Sequence, residues 1–337
     1  MGLKVLRYSV LIFASVLWFL GCSPSLLRKL NAAGVLADDY RYGDLYRLSN
    51  LPQFKEKLAT CSKEFTASTP KLPIDLYVIG DSFTDPERID ENDFLAQNYQ
   101  RIHWAHTKRI VLDTAQTNVL MLQSVERHFR EHLSAPVRNY EVVGPNNLAE
   151  PPKQTGFWEV FNRIIPADTE ETFESFLFGN DFTLVFKEWK AVLNEYFFGR
   201  TNQVVSFSKN KKYIFLGLDT DTTRINSSFT DLTNAEVDSL VEQLDRTRKH
   251  YSDAGFDAVL LSIVPNKASI VAQTDGQYNH LIERVQANRK LSVDYIDTYG
   301  PFSKTKHGLY LKGDSHWSCA GQRVWTEAVN QKLKQKK

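Results

Sequence analysis

The sequence predicts an α/β fold in which a parallel sheet carries helices on both faces. Two apolar runs, at 75–80 and 257–265, have the length and composition of strands that are buried on both sides. Segments whose apolar residues recur at helical spacing lie between such runs. Strands that alternate with helices favour a parallel sheet. The 337 residues suffice for one large domain or two ordinary ones.

The predicted elements follow in order along the chain. The first strand, 75–80, is bounded by proline and glycine, and the run "NVLMLQSVERHF" (118–129) predicts a second strand that continues into a helix. Residues 234–255 show apolar residues at helical spacing and end in glycine. The remaining elements are a third candidate strand at 211–219, a strand at 257–265, a helix at 276–290, a strand at 292–299 and a final helix at 319–335.

Composition divides the chain into three parts. Residues 1–22 form a signal or membrane anchor, and 23–70 a partly helical extension. Residues 71–337 form the main domain, interrupted at about 130–210 by an insertion rich in Phe, Trp and Tyr. We expect the insertion either to pack over the sheet as one wall of the site or to form a second core layer without a direct role.

The first 22 residues have the layout of an export signal. Two basic residues precede a short apolar stretch that ends in Gly21-Cys22. Gly-Cys at this point resembles a bacterial lipoprotein signal, in which the cysteine is lipidated, although Phe19 and Leu20 are bulkier than that pattern usually has. A signal anchor and a buried core helix are the alternatives. We therefore expect an exported, membrane-anchored protein of the periplasm or cell envelope, with Cys22 as the candidate lipidation site.

Two further cysteines, Cys61 and Cys319, are either a disulfide, which an exported compartment permits, or two unpaired buried thiols. No CxxC motif or Cys/His cluster indicates a zinc site. We expect neither a metal nor a cofactor. The formal net charge is +1, and the one basic tract is the terminal "KLKQKK", so we expect no nucleic-acid partner.

The stretch "GDSFT" (80–84) directly follows the first predicted strand. As local structure it is a strand end with a turn, in which Asp81 makes local hydrogen bonds. As chemistry it presents Ser82 as a nucleophile, because ligands of parallel sheets bind near the carboxyl ends of strands. A serine nucleophile needs a neighbouring base.

His316 is the candidate base among eight histidines. It lies in "LYLKGDSHWSCAGQ", two residues after Asp314, and in extended chain such residues point to one side. The carboxylate can then fix the imidazole tautomer and leave the other ring nitrogen free. Trp317 can shield the pair from water. The other seven histidines occupy predicted helices or loops with no special partner.

Four elements lie in compatible structural settings: "VIGDSFTD" (78–85), "SVERHF" (124–129), "IVPNKAS" (263–269) and "YLKGDSHWSCAGQ" (310–322). Together they resemble the SGNH hydrolase superfamily, and more narrowly the SGNH-like domain of the alginate O-acetyltransferases AlgJ and AlgX and the related DHHW proteins. The resemblance covers roughly 71–330 without the aromatic insertion, and it implies a three-layer, SGNH/flavodoxin-like sheet.

The resemblance implies Ser82 as nucleophile, His316 as general base and Asp314 as the residue that orients it. Ser82 N–H and Arg127 are the candidates for stabilising an oxyanion. Arg127 follows a strand expected beside the Ser82 strand, and its alternative is a surface pair with Glu126.

Lys267, in "VPNK", is a candidate to contact substrate or to structure its loop, and Asp81 completes the candidate site.

Two features of this sequence differ from the families that it resembles. The Asp-x-His element follows the serine here, whereas it precedes the serine in the alginate enzymes. "FGNDF" (178–182) looks like the Asn-containing block of SGNH esterases, but it lies in the helical insertion, and we interpret it as a chance match.

These observations predict an acyl-transfer enzyme, and the resemblance implies an O-acetyltransferase of a cell-surface polysaccharide. Its expected partners are an acyl donor, the polysaccharide acceptor, a membrane protein that delivers the acyl group and the membrane at its N-terminus. One alternative is an SGNH esterase that passes the acyl group to water. Another is a catalytically idle envelope protein that binds glycan, for which the aromatic insertion is equally suited.

Overall fold

The computed structural model describes residues 2–33, 40–66, 68–145, 169–273, 275–305 and 307–336. The chain forms two units. The smaller unit takes Met1–Lys57 and Pro151–Asn202, and the larger unit takes Leu58–Glu150 and Gln203–Lys337. The N-terminal segment thus shares a unit with the middle of the aromatic insertion, and the boundaries differ from the 70/71, 130 and 210 that composition predicts. Whether the insertion forms a wall of the site stays a prediction.

A five-stranded parallel sheet forms the centre of the larger unit. From one edge to the other, its strands are Ala96–His103, Leu72–Gly80, Thr117–Val125, Ala258–Val264 and Asp294–Ile296. The sheet is flanked by helices, so the α/β class with a parallel sheet is confirmed. The strands are β1 Leu72–Gly80, β2 Ala96–His103, β4 Thr117–Val125, β8 Ala258–Val264 and β9 Asp294–Ile296.

Four short strands lie outside the central sheet. They are β3 Lys108–Ile110, which pairs in parallel with β5 Tyr140–Val142, and β6 Val205–Phe207, which pairs antiparallel with β7 Ile214–Leu216. The candidate strand at 211–219 is therefore wrong as a member of the main sheet. Only its middle is extended, because Ser208–Lys212 form a tight turn that joins two strands of a hairpin.

The helices of the larger unit connect and cover these strands. Asn234–Asp253 begins at a capping box of Thr233 and Glu236, and the chain then turns at Gly255, whose φ of +105° suits glycine. The predicted helix at 276–290 is shorter than expected. The helices are Glu126–His132, Gly217–Thr220, Asn234–Asp253, Lys267–Val271, Leu281–Gln286, Tyr299–Thr305 and Cys319–Lys334, with 3₁₀ turns at Ser82–Thr84 and Glu91–Asp93.

The central strands are mostly apolar because both of their faces are covered. β1 from Ile74, β4 from Asn118 and β8 from Val259 are buried to their last residue. Trp325 of the final helix lies across β8 and donates from Nε1 to Ser262 Oγ at 2.8 Å. Burying each large apolar side chain stabilises the fold by roughly 1.5–3 kcal/mol. This rigid sheet fixes the carboxyl ends of β1, β4 and β8.

The smaller unit is helical in its described part. A hydrogen-bonded cap at Asn180 starts its longest aromatic helix, which ends at Gly199 with φ +58°. Its helices are Gly2–Gly21, Pro24–Ala32, Asp44–Ser49, Thr169–Phe178 and Asp181–Phe198, with a 3₁₀ turn at Pro52–Phe54.

The N-terminal helix is long and apolar enough to cross a membrane. Its window Lys4–Gly21 has 18 residues, a mean hydropathy of 1.5 and only 6% of its residues buried. A signal sequence meets the same criteria, so this helix indicates either a signal peptide or an anchor.

Candidate active site

Ser82 lies immediately beyond the carboxyl end of β1. Asp81 caps the 3₁₀ turn Ser82–Thr84 by accepting a hydrogen bond from Phe83 N at 3.0 Å. Gly80 is required by close packing, because a Cβ there would lie 2.1 Å from Thr84 Oγ1. The turn is therefore sharp, and it presents Ser82 at the edge of the sheet where the strand order reverses around β1.

Asp81 ties this turn to the neighbouring strand. Its carboxylate accepts from Val125 N at 2.5 Å and from Gln123 Nε2 at 3.0 Å. Gln123 Oε1 returns the contact by accepting from Asp81 N at 3.0 Å and from Thr84 Oγ1 at 3.1 Å. Both carboxylate oxygens of Asp81 are occupied by donors of the protein. The local turn hydrogen bond is present, and the cross-strand bonds to Gln123 were not predicted.

His316 reaches Ser82 from a loop more than 230 residues further along the chain. His316 Nε2 lies 2.8 Å from Ser82 Oγ, and His316 Nδ1 lies 2.5 Å from Asp314 Oδ1. Both distances are hydrogen-bond distances. Because a carboxylate can only accept, the neutral imidazole carries its proton on Nδ1 and turns the lone pair of Nε2 toward the serine hydroxyl. The three predicted residues therefore form one continuous hydrogen-bonded chain.

Asp314 is poised to stay ionised. Burial alone opposes its ionisation, but the hydrogen bonds and charge of His316, together with the Arg88 guanidinium 3.9 Å away, hold the pKa of Asp314 below its usual value. The same oxygen that accepts from His316 Nδ1 also accepts from the backbone His316 N at 2.8 Å. These bonds fix both the ring and the loop.

Lys267 holds the loop that carries His316, the candidate base. We call residues 310–317 the base loop. The buried Lys267 Nζ donates to the carbonyl oxygens of Leu311, Lys312 and Asp314 at 2.7, 3.0 and 3.2 Å. Of the two predicted roles for Lys267, this geometry supports the structuring of the loop.

Aromatic side chains surround the pair. Phe83 lies 4.7 Å from the His316 ring and 4.9 Å from the Trp317 ring, and Trp317 is only 2% exposed. Trp317 also packs on Trp325 at 5.2 Å. Phe83 therefore lies against the imidazole and Trp317 packs on Phe83 and Trp325, while the shielding of the pair from water by Trp317 stays a prediction.

Arg127 is buried beside the same edge of the sheet. It follows β4, which does neighbour β1, and its guanidinium lies 5.8 Å from the centre of the Phe83 ring. Its Nη1 is 3.6 Å from Asp219 Oδ2 and makes no hydrogen bond within the described part of the chain. The alternative of a surface pair with Glu126 is wrong, because both side chains are buried.

Glu126 and Asn266 form a second polar cluster that sequence reasoning missed. Glu126 accepts from Asn266 N at 2.9 Å, from Tyr278 OH at 3.0 Å and from Ser269 Oγ. Asn266 Oδ1 accepts from Arg127 N at 3.1 Å. Burial raises the pKa of Glu126 to about 7 against these hydrogen bonds. The motifs "VER" and "PNK" contain these residues, but neither motif shows that they meet.

The expectation that the other seven histidines have no special partner is wrong at more than one position, since His280 pairs with Glu283 and His132 has two defined partners. His132 stacks on Trp104 with ring centres 4.1 Å apart, and its Nδ1 lies 2.9 Å from Ser124 Oγ. Burial lowers the pKa of His132 to about 4. The partner of His132 could not be foreseen, because Trp104 directly follows β2 and the sequence did not predict this strand.

The disulfide alternative is the one that the structure contains. Cys61 and Cys319 are bonded, so the expectation of two unpaired thiols is not met. Cys319 opens the final helix three residues after His316, and the bond ties it to a segment 258 residues earlier.

Two remaining candidates lie in the smaller unit. Asn180 of "FGNDF" accepts from Thr183 N at 3.0 Å as a helix cap, which supports its interpretation as a chance match. Cys22 follows the N-terminal helix as a buried free thiol.

Comparison with known protein families, curated proteins and solved structures finds no match to this chain. The geometry of the site therefore carries its interpretation.

Proposed function

We propose that the chain is an exported acyl-transfer enzyme of the SGNH type, an O-acetyltransferase that acts on a cell-surface polysaccharide. The observation that carries this proposal is the hydrogen-bonded chain Ser82–His316–Asp314 at the carboxyl edge of a parallel sheet. Such a chain makes an unreactive hydroxyl nucleophilic. The strand order also supports it. The first strand of the sheet along the chain, β1, lies between the second and the third, β2 and β4, and this is the flavodoxin-like, doubly wound order.

The chemistry follows from the positions of the protons. Ser82 Oγ attacks the carbonyl carbon of the acyl donor while its proton passes to His316 Nε2. The carbonyl re-forms, the donor's leaving oxygen departs with that proton, and an ester on Ser82 remains. A sugar hydroxyl then attacks this ester, gives its proton to His316 and leaves acylated, and Ser82 Oγ recovers the proton. Asp314 stays ionised and holds the imidazole throughout.

The tetrahedral oxyanion needs donors that are aimed at it before the reaction. We assign Ser82 N–H and Arg127 to this task. Arg127 is buried, permanently charged and beside Phe83, and its Nη1 retains a donor that no described residue uses. Asn266 holds the backbone of Arg127 in place.

Two alternatives share parts of this geometry. An esterase would pass the acyl group to water through the same three residues, so the acceptor alone separates it from a transferase. A catalytically idle glycan-binding protein would have no need for a serine, histidine and aspartate within hydrogen-bond distance of one another, and their arrangement is evidence against it.

The test is turnover of p-nitrophenyl acetate with and without a glycan acceptor. We expect an acetyl group on Ser82 and acetylated glycan when the acceptor is present. Ser82→Ala should abolish both, while Ser252→Ala, an exposed serine on the helix Asn234–Asp253, should leave both unchanged. Acetate release alone would favour the esterase, and equal turnover by Ser82→Ala would reject both enzymes.

The location is part of the same proposal. The apolar helix Lys4–Gly21 is consistent with export and with an anchor, and Cys22 lies where a lipid would be attached. In this arrangement a membrane protein supplies the acyl group from the other side of the membrane. Labelling cells with a palmitate analogue should mark the natural chain and leave Cys22→Ser unmarked, and an unmarked natural chain would contradict lipidation.

A further inference from the structure

Helix Asp181–Phe198 of the smaller unit turns its apolar side outward. Phe182, Trp189 and Tyr196 are 73%, 63% and 81% exposed. They lie seven residues apart, so they fall on one side of the helix. We call the exposed apolar residues of this helix the aromatic stripe: Phe182, Val185, Phe186, Trp189, Val192, Leu193, Tyr196, Phe197 and Phe198.

The opposite side of the helix contains Leu184 and Ala191 among polar residues, and these polar residues hold the helix to its own unit. Glu188 accepts from Lys55 Nζ at 2.7 Å and from Tyr46 OH. Lys187 pairs with Glu174 at 3.5 Å, and Asn194 lines a cavity of about 640 Å³. A helix of a water-soluble unit has the reverse arrangement, with its apolar side inward. An exposed apolar patch as long as this helix marks a surface that contacts something else.

The same unit supplies the reason to identify that partner as a lipid membrane. The helix Lys4–Gly21 is apolar enough to cross a bilayer. It packs closely on the helix Thr169–Phe178, since a Cβ at Gly21 would lie 2.3 Å from Phe173. Helix Asp181–Phe198 follows that packing partner after two residues. The helix that carries the aromatic stripe is thus linked by two residues to Thr169–Phe178, the helix that packs on the apolar N-terminal helix.

The chemistry of the stripe also fits a membrane surface and not its interior. Phe, Trp and Tyr are the side chains that partition into the boundary between headgroups and acyl chains. A helix with several charged residues does not span a bilayer but lies in its surface. The charged residues of this helix are Asp181, Lys187, Glu188, Lys190 and Glu195. Lys190 is exposed and directly follows Trp189, so it stands at the border of the stripe, where an ammonium can meet anionic headgroups.

We infer that helix Asp181–Phe198 lies along the membrane surface with the aromatic stripe among the acyl chains. The inference concerns the smaller unit alone and does not depend on the proposed catalysis. It gives the chain a second membrane contact, which remains if the N-terminal helix is removed by a signal peptidase.

The test uses the full chain in vesicles of phosphatidylethanolamine and phosphatidylglycerol. A lipid-soluble aryl diazirine, activated by light, labels the residues that contact acyl chains, and mass spectrometry locates the label. We expect adducts at Phe182, Trp189 and Tyr196, with about 5-fold fewer at the inward residues Leu184 and Ala191. Label within Lys4–Gly21 serves as the internal standard.

A variant with Phe186→Ser and Trp189→Ser sharpens the test. Both positions are exposed, so the substitutions leave the polar contacts of the helix intact. We expect labelling of the remaining stripe to fall about 5-fold while labelling of Lys4–Gly21 is unchanged. Label confined to Lys4–Gly21 in the unsubstituted chain, or equal label on both sides of the helix, would overturn the inference and leave the stripe to a protein partner.

Discussion

The nucleophile and the base of the candidate site are held in different ways. The Ser82 turn is held by the sheet, because Asp81 bonds to Gln123 and Val125 at the end of the adjacent strand. The base loop belongs to none of the strands of the central sheet. It is held by the Lys267 ammonium and by its connection to the disulfide-bonded Cys319.

This difference shows where the site is vulnerable. The position of Ser82 follows from the pairing of two long strands, to which the Asp81 carboxylate adds side-chain bonds. The position of His316 follows from contacts such as those of Lys267, whose partners are distant in sequence, and not from pairing within the central sheet. Changes on the base side should therefore cost more activity for a given loss of stability, and the following predictions test that expectation.

The largest effect is expected at the base itself. His316→Ala should lower kcat by about 10³-fold or more, because the serine hydroxyl loses its proton acceptor. Asp314→Asn should cost a similar factor, because an amide can no longer hold the Nδ1–H tautomer. The double variant should be no slower than His316→Ala, since the residues act as one unit. The measurement is kcat with p-nitrophenyl acetate.

The matched control is His280→Ala, an exposed histidine paired with Glu283. It should keep full activity. A His316→Ala enzyme that retains more than about a tenth of the activity would show that another group serves as base.

The next effect is expected from the residue that holds the loop. Lys267→Met removes the donor to three carbonyl oxygens, of which that of Asp314 is buried and the other two are partly buried. We expect the free energy of unfolding to fall by about 2–4 kcal/mol, with kcat falling more than KM rises. Chemical denaturation and steady-state kinetics measure the two quantities.

Lys290→Met is the control for this substitution, because Lys290 makes an exposed ion pair with Asp238. It should cost less than about 1 kcal/mol and no activity. If the two variants behave alike, the ammonium of Lys267 does not position the base.

The difference between the strand-held Ser82 turn and the base loop, which is held by long-range contacts, also explains which parts of the site the sequence could predict. The β1 strand, the turn at Ser82 and the neighbouring β4 strand follow from short patterns, so they were predictable. Strand β2 was missed because it is an edge strand in which only Ala96 and Ile102 are buried. Lys267 bonds to carbonyls 44 to 47 residues away, and no local pattern encodes such a contact. The spacing of Asp314 and His316 predicted their mutual bond, but not the bond to Ser82.

The disulfide should matter for stability more than for catalysis. Replacing both Cys61 and Cys319 by serine should lower the free energy of unfolding by about 2–4 kcal/mol, because the closed loop no longer restricts the unfolded chain. Since Lys267 still holds the base loop, kcat should stay within about 3-fold at temperatures where the variant is folded. A melting curve and a kinetic assay on one preparation decide this. A loss of kcat as large as that of Lys267→Met would mean that the disulfide also positions His316.

The smallest effect is expected on the sheet side, at Glu126. Its pKa is raised to about 7 by burial, above its ordinary value of 4.5. Above pH 4.5 the unfolded chain therefore releases a proton that the folded chain keeps, and this favours unfolding until the pH passes 7. The contribution of Glu126 to stability should decline by about 2 kcal/mol between pH 5.5 and 7.5. Glu126→Gln should remove this decline, whereas the exposed Glu141→Gln should keep it, as measured by denaturation at each pH. If the free energy of unfolding changes with pH in the same way for the natural chain and for Glu126→Gln, the Glu126 carboxylate is already ionised at pH 5.5. The cluster that joins β4 to β8 then contains a charged group.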